Sequence, residues 1–258
     1  MTIWEALILG LIQGLTEFLP VSSSGHLVLT NFLLGISNET IVFEISVHMG
    51  TLLAVLVYFR KDLAKVIVEF FKGGDGRKTG IMLIAATIPT AIIGLTLNDF
   101  FESVFHAPKY AAGGLIFTAF ILFVSERVRS GKTKLHNIKW WQAVLIGLFQ
   151  GFAIMPGISR SGSTIAAGLI FGVSRDSAAR FSFLLAIPAI LGAAVLHSKD
   201  FVAIPGDLIL PSFLGVIVAA VSGYAAIDIL MKILQRGKLY VFVGYTLIVG
   251  IVGLIFLP

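Results

Sequence analysis

The sequence predicts an all-α polytopic membrane protein with an inverted-topology repeat. Each half is a re-entrant helical hairpin plus three transmembrane helices, giving six full spans and two re-entrant hairpins. Three observations carry this expectation. Hydrophobic residues fill 57% of the 258 positions and charged residues 13%, with a mean hydropathy of +0.97; soluble domains run at about 45–50% and about 25%. A stretch of polar sequence occurs twice. Basic residues alternate between the loops.

The apolar runs recur from end to end, and backbone crossing lipid must satisfy its own hydrogen bonds, so helices are expected. The chain has no cysteine, which excludes disulfides and thiol chemistry but leaves the compartment undecided. The opening Met1-Thr2-Ile3-Trp4-Glu5 lacks the basic start of a signal peptide, so the first apolar segment is expected to remain in the mature chain. The net charge of +5 reads as topological. No segment is long enough to form a basic surface domain, which argues against a nucleic-acid partner.

The repeat is legible in the polar residues. Gly10-Leu11-Ile12-Gln13-Gly14 matches Gly147-Leu148-Phe149-Gln150-Gly151, an offset of 137. The same offset puts Ser22-Ser23-Ser24-Gly25 on Ser159-Arg160-Ser161-Gly162, and Gly35-Ile36-Ser37 on Gly172-Val173-Ser174. With one added residue, Phe43 aligns with Phe181 and Lys61-Asp62 with Lys199-Asp200. The expected unit is one integral membrane domain, 1–258, with repeat one at about 1–130 and repeat two at about 138–258. In each half two apolar arms flank a Ser/Gly tip: 3–19 and 26–36, then 141–155 and 164–173. The second arm of each pair has roughly ten residues, about 15 Å of helix and half a bilayer. Three longer segments follow each pair: 41–59, 80–97 and 110–126, then 180–197, 209–231 and 240–257.

Charge tests the plan. Arg60, Lys61, Lys65, Lys72, Arg77 and Lys78 follow the first span, and Lys109 alone, beside Asp99 and Glu102, follows the second. Arg127, Arg129, Lys132, Lys134 and Lys139 follow the third, Lys199 the fourth, and Lys232, Arg236 and Lys238 the fifth. The basic loops are expected in the cytoplasm and the C-terminus at Pro258 outside. Three spans per half invert the second half, so the hairpins enter from opposite faces and their tips can meet.

Polar backbone at membrane depth belongs in a buried or water-lined site. Each tip has the sequence of a helix start: Ser22, Ser23, Ser24, Gly25 and His26 in the first, and Ser159, Arg160, Ser161, Gly162, Ser163 and Thr164 in the second. Two helix N-termini aimed at one point favour an anion, phosphate above all, and Arg160 adds a permanently charged fork. Capping and packing alone account for the glycines and some serines, but not for an arginine at depth. Gln13 and Glu17 share one helix face, and Pro20 ends that arm. Glu17 can hold a divalent cation or move a proton. His26 can attack phosphorus or act as acid or base, and Ser23 can attack if His26 or Glu17 takes its proton. Glu44 and His48 form a second i, i+4 pair, in which His48 alone reads as structural. Arg175, Asp176 and Arg180 read as topological or mutually paired, and His106, His136 and His197 as loop residues.

QGLTEFLPVSSSGH (Gln13 to His26) and PGISRSGST (Pro156 to Thr164) resemble the two signature motifs of the undecaprenyl-diphosphate phosphatase family of the bacitracin-resistance type. The resemblance spans essentially the whole chain. It implies hydrolysis of undecaprenyl diphosphate to the monophosphate carrier of cell-wall synthesis, in a bacterial cell membrane, with the site open to the outer face. It also implies Glu17, Ser23, His26 and Arg160 as catalytic residues. Gln13, Ser22, Ser24, Gly25, Ser159, Ser161, Gly162, Ser163 and Thr164 are then the substrate-binding set. The family's first motif begins with Glu or Gln; Gln13 here leaves one carboxylate fewer, so Mg²⁺ or Ca²⁺ would bind Glu17 and substrate oxygens. Between Ser23 and His26 the expectation leans to His26, because imidazole is the better nucleophile near neutral pH. The expected partners are a polyprenyl diphosphate and membrane lipid, with a homodimer left open. The alternative function is a transporter or flippase of polyprenyl phosphate using the same anion site.

Overall fold

Thr2 starts the first helix through a capping box: its hydroxyl accepts from Glu5 N at 3.2 Å, and the Glu5 carboxylate accepts from Thr2 N at 2.8 Å. The helix α1 runs Ile3–Phe18 and ends two residues before Pro20, which cannot continue it. After a tight turn, α2 covers Ser23–Leu34 and is closed by Gly35 in the left-handed region. The computed structural model describes residues 1–36, 41–105, 107–128, 131–199, 205–236 and 239–257. Ser37, His106, Arg129, Asp200, Lys238 and Pro258, used in the sequence argument, lie outside the described residues, as do the side chains of Glu102 and Arg236.

The remaining helices are α3 (Ile41–Tyr58), α4 (Arg60–Lys72), α5 (Asp75–Thr96), α6 (Asn98–Phe105), α7 (Pro108–Arg127), α8 (Trp140–Phe152), α9 (Arg160–Ile170), α10 (Arg175–Leu196), α11 (Gly206–Arg236) and α12 (Tyr240–Phe256). A 3₁₀ turn, Leu135–Asn137, precedes α8. No β-strand occurs among the described residues; Thr133 and Val173 form an isolated bridge.

Among the described residues, five helices are long and apolar enough to cross a membrane: α3, α5, α7, α10 and α11. The sixth expected span forms α12, a shorter apolar helix of 17 residues, about 26 Å long. Two segments read as loops are helical. Residues 60–72 form α4, because Leu63, Val66 and Phe70 recur at helical spacing. Residues 98–105 form α6. The second arms also start earlier than expected, at Ser23 and Arg160, because the polar motifs are themselves the first helical turns.

Small residues set the packing. α1 lies along α11, and α8 lies along α5. A Cβ on Gly10 would come within 2.6 Å of the Gly215 carbonyl, and one on Gly14 would meet Ser222 Oγ and the Ala219 carbonyl. In the second half, a Cβ on Gly147 would meet the Ala86 carbonyl, and one on Gly151 would come within 2.5 Å of Ile93. The Gly-x-x-x-Gly pairs legible in the sequence are therefore close helix crossings; in lipid such packing replaces the hydrophobic effect as the force between helices. α3 packs on α10 and α11, and α7 on α12. Arg180 bonds Asp176 at 2.9 Å, as expected for mutual pairing, and also Asp62 on α4 at 3.0 Å. Arg175 instead reaches Glu126 on α7 at 2.6 Å.

Candidate active site

The two tips have the same local construction. Ser22 and Ser159 are the N-caps of α2 and α9, and their hydroxyls accept from Gly25 N at 3.2 Å and Gly162 N at 3.0 Å. Within each tip the capping serine also bonds the serine two residues on, Ser24 at 3.3 Å and Ser161 at 3.2 Å. Ser22 has φ 69°, and among the described residues it is the sole non-glycine at positive φ. Strain of this kind persists only where its surroundings hold it, and it concentrates at functional sites. Here Ser22 is held by Gly25 N and by the His26 ring.

The tips touch. A Cβ on Gly25 would lie 3.0 Å from Gly157 Cα, and one on Gly162 would lie 3.3 Å from Pro20. Ser161 donates to the Leu19 carbonyl at 3.1 Å. α7 supports the second tip: Thr118 Oγ1 donates to the Gly157 carbonyl at 3.0 Å and accepts from Ser159 N at 2.9 Å.

Glu17 is the hub, with its side chain 6% exposed. Its Oε1 accepts from Arg160 Nη2 at 2.6 Å. Its Oε2 accepts from Ser23 Oγ at 2.5 Å and from Gln13 Nε2 at 2.9 Å, and lies 3.6 Å from His48 Nε2. One carboxylate thus gathers both tips, α1 and α3. Arg160 is steadied by a longer contact from Nη1 to the Ser182 carbonyl, 3.4 Å away on α10. Gln13 Oε1 is buried and makes no hydrogen bond, and neither does the buried Ser163 hydroxyl. Thr164 is turned away from the tip, toward Ser182 Oγ at 2.6 Å and the Arg160 carbonyl at 2.8 Å.

His26 stands apart from this hub in its bonding. Its Nδ1 lies 2.7 Å from the Ser22 carbonyl, which only accepts, so Nδ1 carries the proton. Neutral Nε2 is then an acceptor, and Tyr245 OH donates to it at 2.8 Å with the two rings 6° from parallel.

A family model described as bacitracin resistance protein BacA matches residues 6–252. The chain belongs to the BacA family. Among its relatives, the undecaprenyl-diphosphatase of Carboxydothermus hydrogenoformans is 45% identical over 259 residues, covering 99% of this chain and 97% of that protein. That of Halothermothrix orenii is 45% identical over 257 residues, covering 99% and 98%. That of Methanobrevibacter smithii is 41% identical over 268 residues, covering 98% and 96%.

In this BacA-family chain, sequence reasoning missed four contributors. His48, read as structural, contacts Glu17; its Nδ1 donates to the Glu44 carbonyl at 2.7 Å, so the i, i+4 pairing with Glu44 runs through backbone. Tyr245 sits in an apolar run with no polar neighbour that would mark it, and only the tertiary packing brings it to His26. Ser182 and Thr118 likewise had no signal beyond being hydroxyls on apolar helices.

Proposed function

We propose that this chain hydrolyses undecaprenyl diphosphate to undecaprenyl phosphate and inorganic phosphate, recycling the carrier of cell-wall synthesis and so conferring bacitracin resistance. The observation that carries the chemistry is the Ser23–Glu17–Arg160 constellation: a hydroxyl donating to a buried carboxylate that also pairs with a guanidinium. Full-length relatives bear the name of the same activity. A pure anion transporter needs the arginine and the helix ends, but not a hydroxyl bonded to a base, so the transporter reading is not favoured.

In the free enzyme Glu17 occupies Arg160 as a phosphate would. The arriving diphosphate takes the guanidinium for its own oxygens, a stronger and bidentate match. Glu17, relieved of its cation, becomes the better base and takes the Ser23 proton. Ser23 Oγ then attacks the terminal phosphorus. The bond to the bridging oxygen breaks, its electron pair leaves with undecaprenyl phosphate, and Arg160 and the N–H groups of α2 and α9 hold the charge of the transferred group. Water attacks the resulting phosphoserine, with His26 Nε2 as its base, and inorganic phosphate leaves as Ser23 recovers a proton. Support for Ser23 as nucleophile is its bond to Glu17, while the His26 lone pair is engaged by Tyr245. Ser22, Ser24, Gly25, Ser159, Ser161, Gly162 and Ser163 line the tips as binding groups.

The donor set fits a divalent cation held by Glu17 together with Gln13 Oε1, a buried oxygen with no hydrogen bond. Bound there with phosphate oxygens, Mg²⁺ or Ca²⁺ would supply charge neutralisation.

The membrane arrangement follows the same reading: one domain, repeat one at about 1–130 and repeat two at about 138–258, inverted, with α1–α2 and α8–α9 as re-entrant hairpins. Its support is the tip contact and the reciprocal packing of α1 on α11 and α8 on α5. Arms that crossed the bilayer fully would hold their tips about 30 Å apart. The site opens to the outer face of the bacterial cell membrane. The test is phosphate release from a polyprenyl diphosphate in detergent, with and without EDTA, beside Arg160→Ala. Undiminished release by that variant would overturn the site assignment; no release by folded parent protein would overturn the activity.

A further inference from the structure

The helix α4 is an amphipathic stretch that the catalytic site does not use. It connects two spans, α3 and α5, and none of its residues is buried. Leu63, Val66 and Phe70 are half-buried, and Val66 and Phe70 lie against Gly80 on the second turn of α5. The Lys65 carbonyl and Glu69 lie against Gly76, and Glu69 Oε2 accepts from Gly76 N at 2.6 Å. α4 therefore crosses α5 at the start of that span, the level where a bilayer's headgroups begin. At its other end Asp62 is clamped by Arg180.

What faces outward is ordered. Ala64, Ile67, Val68 and Phe71 have i, i+3, i+4, i+7 spacing and make one exposed stripe, with Ile67 61%, Val68 50% and Phe71 84% exposed. Lys61, Lys65 and Lys72 fall on the helix wheel directly beside that stripe, all exposed. Arg77 and Lys78, on the first turn of α5, extend the same basic level. An apolar stripe edged by lysines, lying at the mouth of a span, is the chemistry of a helix in the bilayer interface. Its rings and alkyl groups enter the acyl boundary while the ammonium groups stay among the phosphates.

We propose that α4 is an interfacial anchor whose Lys61, Lys65 and Lys72 bind the headgroups of anionic phospholipid. The ligand is a lipid phosphate carrying net negative charge; a zwitterionic headgroup offers the same phosphate neutralised by its own amine.

The chain has no cysteine, so single labels can be introduced without background. Phe71→Cys and Glu69→Cys carry a nitroxide in vesicles of phosphatidylcholine, alone or with phosphatidylglycerol. The label at position 71 is expected to be accessible to oxygen and shielded from a polar relaxant, as a lipid-facing site is. Spin-labelled phosphatidylglycerol is expected to be enriched around the protein over phosphatidylcholine. That preference should fall about fivefold for each lysine replaced in Lys61→Gln, Lys65→Gln and Lys72→Gln. Turnover in detergent should stay at the parent level, which certifies the fold. A label at 71 open to the polar relaxant would overturn the proposal. So would one shielded from both relaxants, which would instead mean a second copy covers the stripe. An enrichment unchanged in the triple variant would overturn the lysine assignment.

Discussion

Glu17→Gln is the substitution that separates the hub's chemical role from its structural one. The side chain keeps its size, but one of its two oxygen positions becomes an NH₂ donor. Both positions face donors: Arg160 at Oε1, and Ser23 and Gln13 at Oε2. Whichever way the amide turns, a donor meets a donor. The amide oxygen is better used where two donors converge, so the NH₂ turns to Arg160 and the guanidinium loses its anion. Stranding a buried charge costs about 3–5 kcal/mol. Arg160 is 14% exposed and keeps the Ser182 carbonyl, which brings the expected loss just below that range, to about 2–3 kcal/mol, or an apparent Tm lower by about 5–10 °C. Loss of the base costs more: about 10²–10⁴ in turnover. Arg160, no longer held by Glu17, is free for the diphosphate, so KM should stay level or fall while kcat collapses. The assay is phosphate release in detergent, with thermal melting of the same preparation. A variant within about tenfold of the parent kcat, or one whose loss lay wholly in KM, would refute Glu17 as the base.

Four further outcomes follow from the same geometry. Tyr245→Phe removes one neutral hydrogen bond to His26 Nε2 and should lower turnover about fivefold, measured in single-turnover kinetics where it should slow the hydrolytic half; a loss equal to that of Ser23→Ala would contradict the division of roles. Gln13→Glu adds a second carboxylate beside Glu17 and should lower the Mg²⁺ or Ca²⁺ concentration giving half-maximal turnover after EDTA treatment, and no change would remove Gln13 from the cation site. Gly14→Ala inserts a methyl into the Ala219 carbonyl and Ser222 of α11 and should cost about 1–3 kcal/mol in detergent melting. Gly113→Ala, where nothing lies within 4 Å, should be stabilising by about 0.5–1 kcal/mol; equal effects at the two glycines would undo the close-packing account.

What could be read in the sequence depended on whether a residue announces itself locally. Glu17, Ser23 and Arg160 did, because a charge or a run of hydroxyls in an apolar chain is costly and needs a reason. Their direct bonding is in accord with that reading. The doubled Gln-Gly and Ser-x-Ser-Gly patterns pointed to paired tips, and the duplicate caps at Ser22 and Ser159 carry the same bonds. Helix starts were misjudged by three to five residues wherever a polar motif opened the helix, as at Ser23, Arg160, Asp75 and Arg175. There the amphipathic or capping turn lacks the hydrophobicity by which a span is recognised. α4 was missed as a helix for the same reason: its basic residues read as loop charge, although its apolar spacing was helical.

The residues that stayed silent are those whose role is relational. Tyr245 and His48 lie on different helices from the residues they serve, and the local pairing of His48 with Glu44 does not point to Glu17. Their positions suit the proposed division of labour. Glu17 collects donors from α1, α2 and α9 and lies beside His48 of α3, so it ties both halves of the molecule together. His26 is instead tied to α12 and to its own first turn. A carboxylate bound to a cation that the substrate must claim, and an imidazole bound to a hydroxyl that it need not claim, are suited to successive steps. On the proposed mechanism, substrate binding frees the first to take the Ser23 proton, while the second keeps its lone pair engaged until water needs a base. On this logic Arg160→Lys, which keeps the charge but not the fork, should still neutralise Glu17 and fold. It should release its anion poorly to a diphosphate that it can meet at only one point, losing about 10²–10³ in kcat. The loss should fall on phosphoserine formation rather than its hydrolysis, and a burst of undecaprenyl phosphate at the parent rate would show the fork to be dispensable.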